Sequence, residues 1–137
     1  MQSILAGKWT YRSFLNDPAM VGDDPQKAYD LIFAEATFTF EVSGTELKGI
    51  IDWGSGGLDL KGTVSSAGAL SVQIIGLGRP GTQTDGWRYD YNGNIAYEWP
   101  NAIDQVPALV GTVIRVNAHG AGAPAGVTAS FIAVKQS

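Results

Sequence analysis

Residues 36–42 read ATFTFEV and alternate strictly between apolar and polar side chains. Successive residues of a β-strand point to opposite faces, so Phe38 and Phe40 share one face while Thr37 and Thr39 share the other. Alternation of this kind is typical of a strand with one buried and one solvated face. Residues 34–42 are therefore predicted to form a strand.

Short segments with the same alternation follow one another along the chain, and turn-forming residues separate them. Further strands are expected at residues 5–15, 46–53, 58–65, 69–77, 85–91, 94–99, 106–116 and 126–135. Asn92-Gly93 predicts a two-residue hairpin turn between two of these strands, because both residue types tolerate the positive φ of such turns. Ahead of residues 34–42, Asp24-Pro25 favours a short helix over residues 26–33, since proline suits the first helical turn.

The composition agrees with many short strands joined by glycine turns. Glycine accounts for 18 of 137 residues, and only 16% of the residues are charged, against about 25% in an average soluble domain. A chain of this length corresponds to one domain, over residues 1–137. Antiparallel strands in such number hide their edges by closing into a barrel or by stacking as a sandwich. We expect an all-β fold with a single closed antiparallel up-and-down barrel of eight or nine strands.

Charge and composition argue against several classes of function. The formal net charge is −4 without any basic run, so neither nucleic acid nor an anionic membrane is an expected partner. Cysteine is absent and His119 is the single histidine, so we expect neither a metal site nor a cofactor. The N-terminal residues lack the basic start and long apolar stretch of a signal peptide, which predicts a cytoplasmic location.

The first expected strand opens with Gly7-Lys8-Trp9. A Gly-x-Trp motif in this place resembles the signature of the calycin superfamily, which contains the lipocalins, the fatty-acid-binding proteins and the avidins. The chain length, the number of antiparallel strands and the long first loop at residues 16–27 agree with this resemblance. The resemblance implies a barrel that is closed at one end, with Trp9 packed there against an arginine from a late strand. We assign that place to Arg115.

Aromatic side chains on the expected inner faces are the candidates for contacts with a ligand. They are Tyr11, Phe38, Phe40, Trp87, Tyr89 and Tyr91. A barrel of this size either fills its interior with side chains or holds one small ligand. Buried tyrosine and tryptophan need hydrogen-bond partners, which favours a pocket for them, whereas the phenylalanines favour a plain core. Arg12, Arg79 or Arg88 would bind a ligand carboxylate if it pointed inward.

Acid–base chemistry is the alternative use of such a cavity. Glu35 and Glu98 each have apolar neighbours on both sides, so an inward position would raise the pKa of either carboxyl. His119 lies at a strand end beside a glycine loop, where it is either an exposed loop residue or part of the rim of the cavity. These three residues are the candidate catalytic groups.

The leading hypothesis is a binding protein for a small hydrophobic or aromatic molecule, held in the barrel cavity beneath the loops at residues 16–27 and 78–85. The first alternative is a cofactor-independent enzyme of the isomerase, cyclase or hydrolase type, acting on a hydrophobic small molecule in the same cavity. The second alternative is a self-assembling barrel without a ligand, because four Trp and five Tyr on a weakly charged chain favour an exposed apolar patch. A homo-oligomer is compatible with all three hypotheses.

Overall fold

Eight antiparallel strands close into one barrel in the computed structural model, which describes residues 3–136. The strands are β1 (Gly7–Leu15), β2 (Ile32–Ser43), β3 (Glu46–Asp52), β4 (Gly57–Ser65), β5 (Ser71–Gly78), β6 (Arg88–Ile95), β7 (Ala108–Arg115) and β8 (Thr128–Lys135). Each strand pairs with its neighbours in sequence, and β8 pairs with β1. The expected all-β, up-and-down barrel is confirmed. The predicted domain over residues 1–137 stays a prediction, and residues 1, 2 and 137 lie outside the described part.

The two ends of the barrel differ in what covers them. At the closed end, the segment before β1 folds across the barrel, and Leu5 is fully buried there. The Lys135 ammonium group at the end of β8 donates to the backbone oxygens of Ile4 and Ala6 and so ties this segment to the wall. At the opposite, open end the strands are joined by the loops at residues 16–31, 53–56, 79–87 and 116–127.

The closed end is sealed by Trp9, although not together with Arg115. Trp9 is fully buried, its indole N–H donates to the Leu5 carbonyl at 2.9 Å, and the Lys135 ammonium lies 5.5 Å from its ring centroid. Arg115 ends β7 beside the start of β8, whereas Trp9 pairs with Lys135 at the end of β8. The expected contact between Trp9 and Arg115 is therefore wrong, because the antiparallel order places these residues at opposite ends of the barrel.

The predicted Asn92-Gly93 hairpin is also wrong, since β6 continues through both residues to Ile95. Gly93 lies opposite Gly111 in the ladder, and a Cβ at Gly93 would come within 2.9 Å of the Phe131 ring. Glycine is needed here for a close approach between the wall and a core ring, not for a turn. The expected strand at residues 94–99 is wrong for the same reason, and an irregular segment, residues 96–107, follows β6.

The predicted short helix forms, at Pro25–Asp30 (α1), and β2 begins two residues later. The Asp24 carboxylate caps it by accepting from the backbone N–H groups of Gln26 and Lys27. The helix buries none of its residues, so it belongs to the loop at the open end and not to the core.

Packed aromatic rings fill the middle of the barrel. Phe38 is fully buried, with ring centroids 4.8 Å from those of Tyr11 and Phe40, 5.6 Å from Tyr91 and 6.2 Å from Phe131. All four of these pairs are edge-on or tilted, the arrangement that aromatic quadrupoles favour. The closed half of the barrel is thus a packed core, and a cavity lies toward the open end.

Candidate functional site

A cavity of about 380 Å³ opens at the open end of the barrel. Its walls are mostly aromatic and aliphatic, with Phe33 from β2, Ile51 from β3, Leu58 from β4 and Val113 from β7 among the lining residues. All come from inward positions near the open ends of their strands, so the strand alternation itself positions them. The cavity lies near the small end of the about 300–1,000 Å³ range of small-molecule sites.

Three flat rings form one side of the cavity mouth. The planes of Trp53 and Trp87 lie within 15° of each other with centroids 6.0 Å apart, and the His119 ring lies 3.7 Å from Trp87 at an interplanar angle of 13°. Trp53 directly follows β3, and Trp87 directly precedes β6. Both therefore lie at the rim of the open end, where they are half-buried. They present flat apolar surface to anything that enters.

A chain of hydrogen bonds joins three polar side chains on the cavity wall. The Arg115 Nε–H donates to the Tyr89 hydroxyl at 2.8 Å, and the same hydroxyl lies 2.7 Å from His119 Nε2. Arginine has only donors, so the Tyr89 oxygen accepts from Arg115. The phenol donates to Nε2 in one imidazole tautomer and accepts from the Nε2–H in the other, so this hydrogen bond is available to either form.

The electrostatics of the wall favour a neutral His119. Burial, followed by the charge of Arg115, lowers the pKa of His119 below its ordinary value. Arg115 also donates through Nη1 to the Pro124 carbonyl at 3.2 Å, but within residues 3–136 it has no carboxylate inside salt-bridge distance. Glu35 lines the same cavity, yet its side chain is 65% exposed and its partner is Arg12, at 3.9 Å. The Arg115 charge is thus uncompensated at the mouth.

Two further tyrosines lie deeper in the cavity. Tyr11 and Tyr91 both line it and are only 2% and 4% exposed. Burial raises the pKa of each phenol, and for Tyr91 the neighbouring Tyr11 and Tyr89 raise it further. The neighbouring Ser13 hydroxyl partly opposes the effect of burial on the pKa of Tyr11. Both phenols therefore stay protonated and serve as hydrogen-bond donors.

The structure brings four of the six predicted ligand contacts to the cavity: Tyr11, Trp87, Tyr89 and Tyr91. Phe38 and Phe40 are buried in the core on the closed-end side of the cavity and are not among its lining residues.

The candidate catalytic residues are separated. His119 is part of the mouth, whereas Glu35 lies at the rim with its carboxylate in solvent. Glu98 is exposed in residues 96–107, which leave β6 at the closed end, so it has no access to the cavity. Acid–base chemistry in the cavity is thus left to His119 and the tyrosines.

Sequence reasoning missed Trp53 and misplaced Arg115. A usable signal was present for Arg115, since it follows Leu109, Gly111 and Val113 at two-residue spacing and so shares their inward face. The same signal was present for Trp53, since it is the last residue of the strand expected at residues 46–53 and follows the inward residues Leu47 and Ile51 at even spacing. The loops at residues 16–27 and 78–85 lie at the open end, as expected, but contribute none of the described lining residues.

The other arginines considered for a ligand carboxylate point outward. Arg79 binds Asp59 at 3.1 Å, Arg88 binds Asp90 at 3.0 Å, and Arg12 faces Glu35. Within residues 3–136, no group of three or more His, Cys, Asp or Glu side chains is placed to hold a metal ion. Across that same stretch, no helix has the length and apolar character needed to cross a membrane.

Comparisons of the chain with protein-family models, with curated proteins and with solved structures find no match. The fold is a closed eight-stranded antiparallel barrel, compatible with a calycin-like architecture. Its function has to be inferred from the cavity itself.

Proposed function

We propose that this protein binds a small, largely aromatic molecule in the cavity at the open end of the barrel. The observation that carries the proposal is the cavity itself, about 380 Å³ and lined mainly by aromatic and aliphatic side chains, with a few polar side chains among them. Apolar walls with a few convergent polar groups are the usual make-up of small-molecule sites. The walls supply buried area, and the polar groups fix the orientation of the ligand.

The relationship to the lipocalin and avidin superfamily is part of this proposal. It is supported by the position of Gly7-Lys8-Trp9, which opens β1, and by the burial of Trp9 at the closed end. A cytoplasmic location and a homo-oligomer also remain proposals. The exposed aromatic residues Tyr97 and Trp99, which pack edge-on against each other in residues 96–107, support the second of these.

The test is a fluorescence titration with N-phenyl-1-naphthylamine, a neutral aromatic probe that brightens in an apolar site. We expect saturable binding that Trp87→Ala weakens about tenfold, because one aromatic wall of the mouth is lost. Trp99→Ala is the matched control, since Trp99 is exposed outside the cavity lining, and it leaves the affinity unchanged. Absence of saturable binding, or equal effects of the two substitutions, contradicts the proposal.

An enzyme using the same cavity is the second candidate, and the hydrogen bond between Tyr89 and His119 favours it. A neutral imidazole beside a phenol is a suitable general base, because its lowered pKa keeps it unprotonated at neutral pH. The test is exchange of the α-protons of 2-tetralone in D₂O, followed by NMR. An enzyme of this kind accelerates exchange, and His119→Gln removes the acceleration. Exchange at the rate of the buffer alone rules this candidate out.

A further inference from the structure

We infer that the ligand is an aromatic carboxylate with an oxygen substituent at its opposite end, an inference that rests on the proposed binding function. The carboxylate binds Arg115 at the cavity mouth. The second oxygen, a ring hydroxyl or carbonyl, accepts from Tyr11 and Tyr91 inside the barrel.

The first observation is the uncompensated charge of Arg115. Its Nε and Nη1 bind Tyr89 and Pro124, while Nη2 has no acceptor within residues 3–136. The guanidinium also lies 5.2 Å from the ring centroid of Phe33, so packing holds it at the cavity wall. Each of the described Arg–carboxylate pairs of this protein uses another arginine. Guanidinium groups bind carboxylates in a planar geometry, so a ligand carboxylate fits here.

The second observation is the pair of phenols inside the cavity. Tyr91 lines the cavity and its hydroxyl forms no hydrogen bond to another of the described residues, while the Tyr11 hydroxyl has the Ser13 hydroxyl beside it. A polar group that a ligand covers needs a partner on that ligand. Since both phenols remain protonated, that partner is an acceptor oxygen. A purely hydrocarbon ligand would leave the Tyr91 phenol unsatisfied.

The spacing of the two polar regions sets the length of the ligand. Arg115 pairs with Tyr89 in the ladder, and Tyr91 lies two residues further into the barrel, opposite Val113. Two residues of a strand span about 7 Å. This backbone separation is comparable with the distance between opposite substituents on a bicyclic aromatic ring.

Glu35 does not oppose the carboxylate. It is the other charged residue of the described cavity lining, but its side chain is largely in solvent and faces Arg12 across the β1–β2 ladder. The pKa of His119 is lowered below its ordinary value, which favours a neutral imidazole at pH 7.5. Arg115 therefore dominates the field at the mouth.

Isothermal titration calorimetry at pH 7.5 with four naphthalenes tests the inference. The ligands are 6-hydroxy-2-naphthoate, its methyl ester, 2-naphthoate and 2-naphthol. We expect the hydroxy acid to bind about tenfold more tightly than its ester, because a charge-assisted hydrogen bond is lost in the ester. We expect 2-naphthoate to bind about fivefold more weakly than the hydroxy acid, because the inner hydrogen bond is lost.

Variants assign each preference to its residue. Arg115→Gln removes the preference for acid over ester, and Tyr91→Phe removes the preference for the hydroxylated acid. The matched controls are Arg88→Gln, outside the cavity lining and paired with Asp90, and Tyr97→Phe, in the exposed loop; both retain the wild-type preferences.

The outcomes separate the two proposals. If 2-naphthol binds but acid and ester bind equally, or if the preference for the acid survives in Arg115→Gln, the ligand class is wrong while the binding function stands. If none of the four ligands binds the wild-type protein, the binding function fails, and the ligand class with it. Should Arg115→Gln not fold, the comparison of acid and ester on the wild-type protein still decides.

Discussion

Phe38→Ala is predicted to destabilise the barrel by about 4–5 kcal/mol, the upper part of the range for Phe→Ala substitutions in protein cores. Phe38 is fully buried, so the whole ring loses its apolar surroundings. Its four aromatic neighbours belong to different strands, so they cannot move together into the space. Aromatic pairs add about 0.5–1.5 kcal/mol each beyond buried area, which also favours the upper part of the range.

Urea denaturation followed by tryptophan fluorescence measures this loss as a change in the free energy of unfolding. Phe38→Leu keeps most of the volume and should cost about 1–2 kcal/mol, while Tyr97→Ala, at an exposed position, should cost less than about 0.5 kcal/mol. A loss below about 1 kcal/mol for Phe38→Ala refutes the claim that the closed half of the barrel is a packed core. It would mean that the ring lies in open space and that the cavity reaches the closed end.

Three further predictions concern the closed end, the wall and the mouth. Trp9→Phe removes the hydrogen bond to the Leu5 carbonyl and should cost about 2 kcal/mol in urea denaturation; an effect no larger than that of Trp99→Phe contradicts the seal. Gly111→Ala places a Cβ against the backbone oxygen of Asn92 on the neighbouring strand β6 and should lower the unfolding free energy by at least about 2 kcal/mol, whereas Gly122→Ala, with no atom within 4 Å, should leave it unchanged. Because the folded state lowers the pKa of His119, it binds the proton less tightly than the unfolded chain does, so stability is lost as pH falls below about 6.5. His119→Gln should show a smaller loss between pH 7.5 and 5.5, and an identical loss in both proteins would contradict the neutral imidazole.

The barrel itself was predictable because alternation carries the information about each strand. In β5 and β6 the inward and outward positions follow strictly, and they place Tyr89 and Tyr91 on the inner face. Asn92-Gly93 was misleading, since local turn propensity cannot register that Gly93 is required by the Phe131 ring across the barrel. That contact joins residues far apart in the chain and has no local signature.

The site was predictable only in part. Alternation assigns a face but not a height along the barrel, so Phe38 was grouped with Tyr11 although only Tyr11 reaches the cavity. The position of a residue along the barrel axis follows from the order of the strands. That order places Arg115 at the mouth and not at the closed end. The position of His119 depends on how the loop at residues 116–127 folds back over Trp87, which no periodic pattern encodes.

The most direct test of the binding cavity uses the four tryptophan indole N–H signals in a ¹⁵N–¹H correlation spectrum. Trp53 and Trp87 line the cavity mouth, Trp9 seals the closed end, and Trp99 is exposed in the segment after β6. Titration with N-phenyl-1-naphthylamine is predicted to shift the signals of Trp53 and Trp87 and to leave those of Trp9 and Trp99 in place. Shifts confined to Trp99, or no shift at saturating probe, would contradict a ligand site at the open end of the barrel.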